Sequence, residues 1–313
     1  MIWLLVLVAS LAVLVKGADW FTGAAERIGL WLGMPSFLVG VTIVAIGTSI
    51  PELVACVLAV LRDASEIVPG TVIGSNVANL LLILPLAAIV GGRVQIQYAL
   101  VNVDLPFFAG SAFLLAFIAW DGGIGRFEAL LCLLALAVYL HHGVAASRKA
   151  AREDEDGSRP GAGWRAWLKA VLTLIVSGAL IYGGAEFTVR SVVELARLLE
   201  IGREVIAATA VALGTALPEV SVTIAASRRG KAELAVGNVL GSNVFNALAA
   251  VGVSGLVGPI VVPASIIGFA LPLMLAATVL VCFMIMENEF TRWEGWLLVI
   301  FYAYFLGALF GLT

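Results

Sequence analysis

Gly47-Thr48-Ser49-Ile50-Pro51-Glu52 and Gly214-Thr215-Ala216-Leu217-Pro218-Glu219 decide how this chain is read. Each hexapeptide lies inside an otherwise apolar stretch, and each ends on a carboxylate, a costly group in such surroundings. They are 219 − 52 = 167 residues apart. Gly74-Ser75-Asn76-Val77-Ala78-Asn79 recurs as Gly241-Ser242-Asn243-Val244-Phe245-Asn246, and 241 − 74 is again 167. Gly17-Ala18-Asp19 recurs as Gly184-Ala185-Glu186, with 184 − 17 also 167. Three ungapped matches at one offset identify a tandem duplication, with the most costly residues at matching positions in both copies.

Composition sets the surroundings. Hydrophobic residues make up 62% of 313, where soluble domains are roughly half apolar. Runs of about 20 apolar residues point to membrane-spanning helices. Segmentation at charges, prolines and glycines gives spans near 2–24, 36–61, 68–91, 101–120, 127–147, 167–197, 203–227, 234–257, 266–287 and 293–312. The expected fold is therefore an all-α membrane protein of ten transmembrane helices. The first span has neither a basic leader nor a small-residue cleavage site, and reads as a retained helix. Net charge is −3, too small for a nucleic-acid partner. Cys56, Cys132 and Cys282 are isolated in apolar runs and read as packing residues.

Between the halves, Arg148 to Gly163 contains Glu153-Asp154-Glu155-Asp156, Pro160 and three glycines, the composition of a polar linker. The expected organisation is 1–147 for the first five-helix repeat, 148–166 for the linker and 167–313 for the second repeat. Five spans is an odd number, so the two repeats enter the membrane from opposite sides, as in inverted-repeat transporters. One set of loops and helix ends holds 13 basic residues and the other 5, which accounts for all 18. The richer side is expected in the cytoplasm of a cell inner or plasma membrane. That places the 148–163 linker inside and both termini outside. All eight tryptophans fall near expected helix ends, where amphipathic rings favour the bilayer interface.

Pro51 has no N–H, and its ring clashes with the Gly47 carbonyl four residues back, so a helix here frees at least one carbonyl. A freed carbonyl at membrane depth must face protein or a wet cavity. Thr48 and Ser49 lie four and three residues before Glu52 and share its face. Pro218, Thr215 and Glu219 repeat the arrangement, with Ala216 in place of the second hydroxyl. Ser75 and Asn79 share a face, as do Ser242 and Asn246. All of these groups supply oxygen, which suits hard cations such as Na⁺ and Ca²⁺. Histidine and cysteine are absent from the set, which disfavours soft transition metals. Two glutamates match the charge of one divalent ion. Intramembrane Ser, Thr and Asn also serve as interhelical hydrogen bonds, and for Ser75 or Thr48 alone that alternative stays open. Ionisable residues within spans mark ion pathways, and their duplication favours that reading for Glu52 and Glu219.

Gly40-Val-Thr-Ile-Val-Ala-Ile-Gly-Thr-Ser-Ile-Pro-Glu52 and Gly74-Ser-Asn-Val-Ala-Asn79, with their second copies, resemble the α-repeats of the cation/calcium exchanger superfamily, in particular its prokaryotic sodium/calcium exchanger branch. The likeness covers essentially the whole chain. It implies alternating access, with helices 2, 3, 7 and 8 forming an ion core and helices 1 and 6 sliding across it. It further implies that Glu52, Glu219, Asn79 and Asn246 line a middle site. The Ala45 carbonyl, Thr48, Ser75 and Glu52 would line an inner sodium site. The Ala212 carbonyl, Thr215, Ser242 and Glu219 would line an outer one. Calcium would be held by both glutamates with Thr48 and Thr215. The chain departs from the pattern at Asn246, where many relatives have aspartate, and at Ala216, where they have serine. The proton-coupled branch typically has asparagine at both middle positions, yet usually carries Gly-Asn-Ala before the acid, where this chain has Gly-Thr-Ser.

The expected function is a secondary antiporter exchanging Ca²⁺ for Na⁺. The alternatives are an H⁺/Ca²⁺ antiporter of the same fold or, less favoured, a passive cation channel. Neither a nucleophile–base pair nor a cofactor motif is present, so neither an enzyme nor a cofactor is expected. The expected partners are the transported ions and the lipid bilayer, without a protein partner. Asp19 and Glu186 read as ion-pair residues, with Lys16 and Arg190 as candidate partners. Asp104 lies near a span end, and His141 and His142 read as interfacial polar residues at a helix end.

Overall fold

The structure is a computed structural model. It describes residues 2–92, 94–96, 104–153, 163–198 and 203–309, with backbone alone at 147–153, 196 and 203–215. In chain order the helices are α1 (Ile2–Leu32), α2 (Ser36–Leu61), α3 (Ile67–Gly91), α4 (Asp104–Ala119) and α5 (Arg126–Glu153). They continue with α6 (Trp164–Leu198), α7 (Arg203–Arg228), α8 (Ala232–Val257), α9 (Ile266–Ile285) and α10 (Arg292–Leu309). Among the described residues seven of these, α1, α2, α3, α5, α6, α8 and α9, are long and apolar enough to cross a membrane. Their outward faces are apolar too: Leu5, Phe117, Phe127 and Ile300 are exposed. A surface of that kind belongs in hydrocarbon.

Several helix ends differ from the composition-based reading. Glu26 and Arg27 suggested a stop near residue 24, but α1 runs on to Leu32. Its acid is accommodated because Glu26 pairs with Lys231 at 2.5 Å. Trp20 consequently stands mid-helix rather than at an end. Helix α5 continues to Glu153, into the stretch read as linker, so His141 and His142 lie inside a helix. The rest of that linker, 154–162, lies outside the described residues.

Burial separates centre from periphery. About 83% of the apolar window of α8 and 72% of that of α3 is buried, against 22% for α1 and for α5. Helix α2 crosses α8 at backbone contact. A Cβ on Gly40 would lie 2.3 Å from the Leu234 carbonyl oxygen, and one on Gly237 2.4 Å from that of Phe37. Small residues permit such approach, which supplies helix association where lipid removes the hydrophobic drive. Around the crossing, Phe37, Ile73, Leu80, Phe108, Leu115 and Phe290 form a fully buried core.

The 167-residue offset is visible in the packing. Gly17 on α1 packs on Ile181 of α6, and Gly184 on α6 packs on Leu14 of α1. Since 14 + 167 = 181 and 17 + 167 = 184, one contact is the image of the other. Four two-residue strands behave likewise: β1 (Val94–Gln95), β2 (Gly123–Ile124), β3 (Ile260–Val261) and β4 (Glu289–Phe290). β1 pairs antiparallel with β4, setting Val94 opposite Phe290, and β2 with β3, setting Gly123 opposite Val261. The offset converts 94 into 261 and 123 into 290, exchanging the two pairs.

Candidate functional site

Among the described residues four helices contain a turn wound to the wider π-helical spacing, one in the apolar Ile266–Ala270 stretch of α9 and three beside polar residues. These three are Gly40–Val44 in α2, Asn79–Ile83 in α3 and Asn246–Ala250 in α8. The last two begin on residues 167 apart. A π-turn withdraws a backbone group from the regular ladder, and such turns concentrate at functional sites. In α2 it is followed by Pro51, the second interruption in the same helix.

The polar groups converge at mid-helix depth. Glu52 on α2 and Glu219 on α7 are 1% and 2% exposed, and Thr48, Ser49, Asn79, Ser242 and Asn246 are buried with them. Ser75 is half-buried. Pro51 and Pro218, each one residue before its glutamate, line the same small cavity, together with Gly47, Thr48 and residues Phe21, Gly178, Ile181 and Tyr182 from α1 and α6. A larger apolar groove of about 660 Å³ adjoins it between α1, α2 and α6. It borders Gly47, Pro51, Gly178 and Tyr182.

Several oxygens in this cluster have no hydrogen-bond partner among the described residues. They are both carboxylate oxygens of Glu219, Oε2 of Glu52, Oγ of Ser49, Oδ1 of Asn246 and Oδ1 of Asn243. Buried polar groups are ordinarily satisfied, so acceptors left open side by side are suited to a cation. Among the described residues no three His, Cys, Asp or Glu side chains stand together. The site therefore rests on two carboxylates and neutral oxygens, the donor set of hard ions rather than of zinc or iron.

Thr48 is the best-connected hydroxyl. Its single hydroxyl hydrogen has the Ala45 carbonyl and Asn238 Oδ1 as acceptors, both 3.3 Å from Oγ1, and Oγ1 lies 3.4 Å from Ser242 Oγ. The hydroxyl that the structure brings to Thr48 thus comes from the other repeat, on α8. The side chains of Thr215 and Ala212 lie outside the described residues, and the backbone of both runs within α7.

Three asparagines close the floor. Asn76 Nδ2 donates to the Asn243 backbone carbonyl, Asn246 Nδ2 donates to Asn76 Oδ1, each at 3.3 Å, and Asn243 Nδ2 donates to Val239 O at 2.7 Å. Asn76, Asn243 and Asn238 had no role assigned from sequence. The signal was present: Asn238, Ser242 and Asn246 recur every four residues, one polar stripe along α8. The remaining acids are occupied elsewhere. Asp19 pairs with Arg229 at 3.6 Å rather than with Lys16, Glu186 pairs with Arg190 at 3.6 Å, and Asp104 accepts from Tyr139 Oη at 3.4 Å.

Comparison with known proteins agrees with this geometry. The sequence profile described as "Sodium/calcium exchanger protein" matches twice, at residues 2–142 and 169–311. The two matches start 169 − 2 = 167 residues apart. The sodium/calcium exchanger MaX1 of Methanosarcina acetivorans is 34% identical over 98% of this chain and 98% of its own. The inner membrane protein YrbG of Escherichia coli K12 is 30% identical over 81% of this chain and 79% of its own. A solved structure of the sodium-calcium exchanger NCX_Mj superposes with a TM-score of 0.85 at 26% identity, covering 98% of each chain. With its duplicated glutamates buried among open oxygens and both of its halves matched by the same profile, this integral membrane chain belongs to the sodium/calcium exchanger protein family.

Proposed function

We propose that this protein is a secondary antiporter that moves Ca²⁺ in exchange for Na⁺ by alternating access. The observation that carries the reading is the pair Glu52 and Glu219, buried at 1% and 2% exposure with three carboxylate oxygens lacking any partner among the described residues. Their combined charge balances one Ca²⁺ or two Na⁺, so either load neutralises a site that burial would otherwise make unfavourable. The hydroxyls of Thr48, Ser49, Ser75 and Ser242, the amides of Asn79 and Asn246 and the Ala45 carbonyl complete the ligands, with Thr215 and the Ala212 carbonyl from the other copy. A proton needs only the carboxylates, whereas Na⁺ needs these neutral oxygens as well.

The architecture that serves this function is ten spans in two inverted five-helix repeats, 1–147 and 167–313, joined by a cytoplasmic linker. The exchange of β1–β4 with β2–β3 under the 167-residue offset supports it. Both termini face away from the cytoplasm. Helices α1 and α6 pack on each other beside the groove and gate the site.

The test is Ca²⁺ uptake into proteoliposomes under an imposed Na⁺ gradient at clamped pH, and separately under a pH gradient without Na⁺. Uptake driven by Na⁺ is expected. Uptake driven by the pH gradient alone sinks the sodium reading, and flux that needs no counter-gradient sinks antiport.

A further inference from the structure

A buried hydrogen-bond relay leaves the site through α8 and ends on α7. Asn238, fully buried, accepts from Thr48 Oγ1 at 3.3 Å and donates through Nδ2 to Thr223 Oγ1 at 3.2 Å. Thr223 is fully buried as well, one turn beyond Glu219 on α7. We propose that Asn238, oriented by Thr223, is a positioning residue that turns the Thr48 hydroxyl proton away from the ion site and so sets Na⁺ affinity. The inference rests on the Na⁺/Ca²⁺ reading and deepens it.

The argument follows one proton. A threonine hydroxyl has a single hydrogen and two lone pairs. The Thr48 hydrogen has acceptors at Ala45 O and at Asn238 Oδ1, each 3.3 Å away, and at Ser242 Oγ, 3.4 Å away. A hydrogen on Ala45 O would cover the carbonyl read as a ligand. A hydrogen on Asn238 leaves that carbonyl and a Thr48 lone pair open to a cation, even where Ser242 Oγ donates to the other. Thr223 matters because an amide can present oxygen or nitrogen. By accepting from Nδ2, it turns Oδ1 toward Thr48. A reversed amide would aim N–H hydrogens at Thr48 and occupy a lone pair that the ion needs.

The relay exists in one repeat only. The residues equivalent to Asn238 and Thr223 are Thr71 (238 − 167) and Cys56 (223 − 167). Neither reproduces an amide held between two hydroxyls. Thr48 and Thr215, equivalent by sequence, are therefore made inequivalent as ligands.

The test is a double-mutant cycle on Na⁺-driven Ca²⁺ uptake in proteoliposomes, using Asn238→Leu, Thr223→Val and Thr48→Val. Loss of one orienting hydrogen bond is expected to raise the half-saturating Na⁺ concentration about fivefold in Asn238→Leu. Thr223→Val should shift it in the same direction by less. Neither change should add to the effect of Thr48→Val, whereas a merely structural role would add in full. Additive effects, or an unshifted Na⁺ dependence in folded Asn238→Leu, overturn the proposal. Should Asn238→Leu fail to fold, Thr223→Val alone decides by the same two outcomes. Absence of Na⁺-driven flux in the parent overturns both this proposal and the antiport reading. Parent flux with unshifted variants overturns this one alone.

Discussion

Asn76 and Asn243, equivalent residues of the two repeats, are hydrogen-bonded to each other: Asn76 Nδ2 donates to the Asn243 carbonyl at 3.3 Å. The contact joins the two repeats at matching positions, since 76 + 167 = 243. The contact is not symmetric. Asn76 Oδ1 accepts from Asn246 Nδ2 at 3.3 Å, while the Asn243 side chain turns back to Val239 O.

That asymmetry makes a stability prediction. Asn76→Leu orphans the Asn246 side-chain amide and removes the bond to the Asn243 carbonyl, which keeps the Asn246 backbone N–H, at a cost of about 1–3 kcal/mol. Asn243→Leu removes only a bond within its own helix, since the carbonyl used by Asn76 is backbone. Thermal unfolding in detergent should therefore show Asn76→Leu clearly the less stable variant. Equal losses would show that the interhelical bonds contribute nothing.

Glu52→Gln and Glu219→Gln should each abolish Ca²⁺ exchange while the protein still folds. Either change leaves one carboxylate to balance a divalent ion. Because the acids are buried with open oxygens, neutralising one should leave the thermal midpoint unchanged or raise it. The checks are uptake and thermal unfolding on the same preparation. Normal exchange in either variant removes that residue from the site.

Much of this was legible in the sequence because duplication repeats a signal. Glu52 and Glu219 stood out as charges in apolar runs, and the 167-residue offset located Ser242 and Asn246 from Ser75 and Asn79. What stayed hidden has physical causes. The extent of α1 was missed because Glu26 is stabilised by Lys231, a partner some 200 residues away. Asn238 was passed over because its first-repeat equivalent is Thr71, so the offset that revealed the other residues gave no second copy. The meeting of Thr48 with Ser242, across the repeats, depends on the glycine crossing of α2 and α8, which periodicity does not encode.

The crossing itself can be tested. Gly40→Ala and Gly237→Ala place a methyl 2.3 and 2.4 Å from backbone carbonyl oxygens, which cannot move as a side chain can. Each should lower stability by about 1–3 kcal/mol, as overpacking does, and should weaken exchange by displacing Thr48 from Asn238. Gly110→Ala on α4 meets open space and serves as the control. Wild-type stability and exchange in Gly237→Ala would show that α2 and α8 need not approach so closely.

The last prediction concerns α1. Asp19 pairs with Arg229 at 3.6 Å and Glu26 with Lys231 at 2.5 Å, tying this helix to the turn between α7 and α8. The side chains are roughly a quarter to two-fifths exposed, so each pair contributes little to stability, at most about 1 kcal/mol. The offset converts Asp19 into Glu186 and Arg229 into Arg62, yet Glu186 pairs instead with Arg190 on its own helix. Glu26 and Lys231 convert into Val193 and Ala64, which cannot pair. The tie therefore holds the C-terminal half of α1, in the arrangement seen here. Movement of α1 during exchange would have to break it. Glu26→Gln should change the exchange rate about two- to fivefold, the kinetic equivalent of a pair of this strength, with the thermal midpoint nearly unmoved. The charge swap Glu26→Lys with Lys231→Glu should restore the rate, and high ionic strength should shrink the difference between parent and Glu26→Gln. A rate unaffected by Glu26→Gln, or a swap that fails to restore it, would show that the pairs take no part in the transport cycle.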